Sequence, residues 1–219
     1  MFFAKLVCAD TFDVGGKNIN IPSPPGFVPI TKAMDGAYRL SQQMSNPRTD
    51  QLALYISKSN VPAALKGEIP SLKRYFIVTV SKKAKHMTIG AKEFSVLKET
   101  VKSQNKKIIR AVKAKMPKIL KKISEGISKE FNAKMSMKIS KMIPLDLHYE
   151  SENAFSYSMY IAYKASMGDS SISEIVPATI TFVRVADKVI FLIAYGSKKD
   201  LEWTRNVSKT WSRMVISSN

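Results

Sequence analysis

From Val101 to Phe131 the chain reads VKSQNKKIIRAVKAKMPKILKKISEGISKEF, with nine Lys/Arg before the first acid, Glu125. Unpaired charge at this density cannot be buried, so one side of whatever forms here must stay in water. Leu97, Val101, Ile108, Val112, Ile119 and Ile123 supply the other side. They fall within roughly 80° of arc on a helix turning 100° per residue. Lys102, Lys106, Arg110, Lys113 and Lys121 lie opposite. Pro117 lacks an N–H and fits the first turn of a helix. The spacing therefore predicts two consecutive amphipathic helices, about Ala91 to Met116 and Pro117 to Met142. Ile127, Phe131, Met135 and Ile139 carry the apolar stripe of the second.

Strands flank this region. TFDVGGKNINI (Thr11 to Ile21) alternates around Gly15-Gly16 as a hairpin. A helix is predicted over Thr31 to Met44, a strand over Gln51 to Ser57, and a loop with one helical turn over NVPAALKGEIP. RYFIVTV (Arg74 to Val80) is apolar on both faces, as a covered central strand would be. LDLHYE with NAFSYSMYIAYK, and ATITFVRV with KVIFLIAY, read as two more hairpins, with MGDSSIS as a loop between them. On the first of these, Phe155, Tyr157 and Tyr163 share the core-facing side. A helix from about Lys198 closes the chain, with Trp203, Val207, Trp211 and Val215 at every fourth residue. Short turns between successive strands make the sheet mainly antiparallel, with helices packed on it. The expected class is α+β, one domain over residues 10–219, with a long basic helical pair at about 91–142 inserted mid-chain.

Composition sharpens the charge reading. The chain has 35 Lys/Arg against 17 Asp/Glu, net +18. From Lys98 to Lys141 there are 14 basic and 3 acidic residues, so one segment makes the protein basic. Such a field attracts nucleic acid, anionic lipid or an acidic protein. The single cysteine, Cys8, permits no intrachain disulfide. Val7 and Ala9 suit the small positions of a signal-peptidase site, with cleavage before Asp10. A signal peptide runs about 15–30 residues. Residues 1–9 are thus either the remnant of one that starts upstream or simply the first strand. No run of apolar residues is long enough to span a membrane.

The extended start running into IPSPPGF (Ile21 to Phe27), the helical middle, the two hairpins and the Trp-bearing closing helix together resemble the PsbP-like fold. YGSKKDLEWTRNVSKTWSRMV (Tyr195 to Val215) is also similar to the end of uncharacterised exported bacterial proteins that carry an IPxPPGF segment. The resemblance implies a sheet between helices and a small accessory or binding protein without catalysis. It transfers no site residues.

Catalytic patterns are sparse. His86 and His148 stand alone, which argues against zinc, and no metal or cofactor is expected. There is no GxSxG, no GxxxxGK[ST] and no GxGxxG. Ser95-x-x-Lys98 and Ser103-x-x-Lys106 match S-x-x-K without a KTG partner and fall inside a lysine-rich helix. Asp146, Glu150 and Glu152 cluster at a hairpin, where acids usually keep a turn soluble. The expectation is a non-enzymatic, periplasmic or secreted binding protein. It would use Lys102, Lys106, Arg110, Lys113 and Lys121 against an acidic protein or an anionic membrane surface. The alternatives are a cytoplasmic nucleic-acid-associated protein using the same lysines, an unrecognised hydrolase, and a basic face that is merely solvated.

Overall fold

The computed structural model describes residues 9–219. The signal-remnant expectation therefore lies outside the described residues except for Ala9, the first residue of β1 (Ala9–Asp13). Then follow β2 (Asn18–Pro22), β3 (Phe27–Pro29), α1 (Asp35–Gln43), β4 (Thr49–Ser57), α2 (Val61–Leu65) and β5 (Tyr75–Ser81). α3 (Ala91–Phe131) leads into β6 (Met135–Glu150), β7 (Ala154–Met167), β8 (Ser170–Val185), β9 (Lys188–Tyr195) and α4 (Leu201–Ser217). β1 and β2 pair as a separate hairpin; the other seven strands form one antiparallel sheet in the order β3-β4-β5-β9-β8-β7-β6. The class is α+β, as the patterning predicts.

Alternation along the inner strands assigns the two faces. Phe76, Val78, Ile190 and Leu192 point to one side and pack with Trp211 and Val215 of α4 and with Val14, Ile19 and Ile21 of the hairpin. The opposite side carries Leu54 and Ile56 beneath Met34, Ala37 and Ala64 of the α1–α2 region. It also carries Phe155, Tyr157 and Met159 beneath Phe94, Val101 and Ile109 of α3. The sheet thus lies between helices. Under α4 the contact is a small-hydroxyl seam: Ser156 with Thr181 at 2.7 Å, Ser158 with Thr179 at 2.8 Å, and Thr179 donating to Thr204 at 2.9 Å. Short, mutually satisfied side chains let helix and sheet approach closely.

The IPSPPGF segment has a structural role. The Pro22 carbonyl accepts the Trp211 indole N–H at 2.7 Å, Gly26 takes φ 82°, and Phe27 sits edge-on to Phe76 with ring centroids 4.7 Å apart. The segment and the tryptophan helix are one packing unit.

Three expectations need correction. The basic region is one helix of 41 residues, not a pair, and Pro117 lies inside it. Pro117 leaves the Lys113 carbonyl without its helical donor, but Arg110 to Lys115 are all exposed, so water serves instead and the helix continues. The predicted second helix ends at Phe131, and residues 135–142 are strand. Asn132 turns the chain at φ 47°, and the Met135 N–H is taken up by Ser128 Oγ at 2.9 Å. The buried stripe differs in part: Val101 and Ile119 are buried as the spacing predicts, together with Phe94, Ile109, Leu120 and Ile127, whereas Val112 is 39% exposed. Third, MGDSSIS is not a loop. β7 and β8 run through it, Met167 pairs with Ser170, and Gly168 at φ 57° makes the turn.

Candidate polyanion-binding face and the cleft beside it

α3 is fixed near its two ends. Towards the N-terminus, Lys98 Nζ donates to the Ser151 carbonyl at 3.2 Å and Asn105 Nδ2 to the Leu145 carbonyl at 3.0 Å. Near the C-terminus, Glu130 pairs with Arg39 at 3.1 Å, and the Arg39 guanidinium stands over the Phe131 ring. Gly126 lies against the Gln43 side chain, whose Oε1 would have to shift to admit a Cβ there. Between these anchors Arg110 to Lys115 are exposed all round, so the middle of α3 spans open space.

All five cations read from the sequence are exposed. Lys102 reaches Glu150 at 3.3 Å and Lys121 reaches Glu125 at 3.8 Å. Lys106, Arg110 and Lys113 make no ion pair among the described residues, nor do their neighbours Lys107, Lys115, Lys118 and Lys122. Exposed pairs like the two observed contribute little. The face is therefore a nearly uncompensated row of positive charge, each member well within a Debye length of the next.

Alongside the C-terminal half of α3, from Lys113 to Ser128, a cleft of about 670 Å³ lies between the helix and β6. Met116, Pro117 and Leu120 line it from the helix, and Met135, Met137 and Ile139 from the strand. Lys113, Lys121, Glu125 and Lys138 also border it. Lys113 and Lys121 belong to the basic row; the apolar lining was missed because Met135 and Ile139 were read as helix. The signal was present in MSMKI, which alternates apolar and polar at every residue.

The remaining candidates disperse. His86 is exposed in the turns after β5. His148 sits on β6 with neither ring nitrogen hydrogen-bonded among the described residues; burial, then the Arg205 charge, push its pKa down to about 4. Among the described residues no three His, Cys, Asp or Glu side chains gather as a metal site. Ser103 Oγ donates to the Glu99 carbonyl of its own helix at 2.8 Å, and Lys98 is committed to Ser151. Glu150 is taken by Lys102, and Asp146 and Glu152 are exposed. Phe155 and Tyr157 are core, and Tyr163 is half-buried with its hydroxyl donating to Glu174 at 3.2 Å.

No helix among the described residues is long and apolar enough to cross a membrane. No protein-family profile and no curated protein matches the chain. Among solved structures it is similar to cyanobacterial PsbP (CyanoP) from Synechocystis sp. PCC 6803. The TM-score is 0.34 at 8% identity, over 97% of this chain and 94% of that one. It is also similar to the Ran-binding protein Mog1p of Saccharomyces cerevisiae, with a TM-score of 0.28 at 10% identity, over 92% and 84%.

Proposed function

We propose that the protein is a non-catalytic accessory or binding protein, exported to the periplasm or beyond, that attaches to an anionic surface through the outer side of α3. One observation carries this: the run of Lys and Arg from Lys106 to Lys122, all but Lys121 without an ion pair among the described residues, on a helix exposed all round at mid-span. Each such cation near an anionic leaflet contributes about 1 kcal/mol. Several together give useful affinity and strong salt dependence. Lipid is favoured over nucleic acid because apolar side chains interrupt the row. Val112 is 39% exposed and Met116 half-buried, which suits a headgroup boundary better than a phosphate backbone.

The test is co-sedimentation with phosphatidylglycerol and phosphatidylcholine vesicles, beside binding to duplex DNA, across a salt series. Wild type should bind only the anionic vesicles and release as salt rises. The variant carrying Lys102→Gln, Lys106→Gln, Arg110→Gln, Lys113→Gln and Lys121→Gln should stay in the supernatant with its melting temperature nearly unchanged. Tighter binding to DNA than to vesicles, or unaltered binding by the quintuple variant, would overturn the reading. Export is checked separately: a chain recovered from the native host with Met1 still attached would rule out export by a signal cleaved before Asp10.

A further inference from the structure

The cleft beside the basic row has the chemistry of an amphiphile site. Its floor is the inward face of β6, Met135, Met137 and Ile139, and its roof is Met116, Pro117 and Leu120 of α3. Two methionines from the strand and one from the helix give a lining that adapts to a flexible chain. At about 670 Å³ the space falls in the range of small-molecule sites. Apolar atoms facing it lack partners on that side, so filling it with hydrocarbon restores contacts that an open trough forgoes.

The polar atoms are placed at particular points. At one end Ser128 Oγ donates to the Ser124 carbonyl at 2.7 Å and accepts the Met135 N–H at 2.9 Å, tying helix to strand. Lys113 lines the space at the other end. From Lys113 to Ser128 the helix advances about 22 Å, of the order of an extended long acyl chain. Lys113, Lys121 and Lys138 border the space against one acid, Glu125, which already faces Lys121 at 3.8 Å. The border is therefore net positive and complements an anionic head.

We propose that this cleft binds one long-chain fatty carboxylate, its chain along the methionines and its head at Lys113. The inference rests on the proposed function only through the sign of the charge, and it needs no membrane.

The experiment is displacement of the fluorescent fatty acid cis-parinarate from the whole chain by hexadecanoate. Saturable binding of one molecule per chain is expected. Hexadecyltrimethylammonium, with the same chain and opposite head, should compete at least about tenfold more weakly. Met137→Glu, Met116→Glu and Lys113→Gln should each weaken hexadecanoate about five- to tenfold or more. If a glutamate costs folding, Met116→Phe, which fills the trough with an apolar ring, must weaken binding instead. Absence of saturable binding by wild type, or unchanged binding by folded cleft variants, would overturn the proposal. Changing only Lys106, Lys107 and Arg110 to Gln separates the two ideas. It should reduce vesicle attachment and leave hexadecanoate binding intact. If all vesicle binding is absent while hexadecanoate still binds, only the surface reading fails.

Discussion

Trp211 has no exposed surface, lies edge-on to Tyr55 and Phe76, and donates to the Pro22 carbonyl. Trp211→Ala should cost about 3–5 kcal/mol, read as a shift of the denaturant midpoint. A cost below about 1 kcal/mol would mean that the α4 packing described above is wrong. Trp203 differs although it has the same helical spacing. It is half-buried, and the Arg74 guanidinium stands 4.5 Å from its ring while donating to Asp200 through Nε at 3.0 Å. Four-residue spacing marks a shared face; how deep each member sits depends on what the sheet offers beneath it. His148 yields a pH prediction. Unfolded, it takes up a proton near 6.5; folded, only near 4. Between those values the unfolded chain binds more protons, so stability falls as pH drops from 6.5 to 4. The loss is up to about 3 kcal/mol before solvent screening reduces it. His148→Leu should flatten that limb in denaturant titrations at pH 4, 5 and 7, and an unchanged slope would assign the limb to other groups.

At the scale of elements, α3 and β6 show where sequence patterning is ambiguous. Ile127, Phe131, Met135 and Ile139 are spaced by four, which repeats a helical face and is also an even number, so it repeats a strand face as well. Met137 breaks the tie in favour of strand, and Asn132 supplies the left-handed residue that ends the helix. Asn132→Gly should therefore be neutral or stabilising by a few tenths of a kcal/mol, whereas Asn132→Val should cost about 1 kcal/mol or more. Calorimetric melting of both variants checks the pair. Pro117→Ala should restore a helical hydrogen bond and stabilise by about 1–3 kcal/mol. A lower melting temperature would show that the proline is needed to seat Leu120 and Ile127. The turns, in contrast, were legible residue by residue. Gly15-Gly16 at φ 59° and 83°, and Ala186-Asp187 at φ 47° and 56°, fall where the hairpins were read.

For the whole molecule, the sheet is unevenly covered. β9 sits centrally with both faces packed, whereas the far ends of β6, β7 and β8 carry Met167 and Ile172 at 39% and 51% exposure. Lys138 and Lys164 stand opposite each other there, a like-charge pair that weakens the ladder. Amide exchange should accordingly be slowest in β5, β8 and β9 near Phe76, Phe182 and Leu192, and faster at residues 135–141 and 162–172. Equal protection throughout would contradict this division. The sequence by itself determined the α+β class, the antiparallel hairpins, the closing tryptophan helix and the outward lysines. Each follows from local periodicity, turn chemistry or the cost of burying charge. Only tertiary structure decided that α3 is one continuous span, that β6 lies alongside it, and that an apolar cleft opens where the two part. Those outcomes depend on which surfaces meet across distant segments, and no local pattern of residues records that.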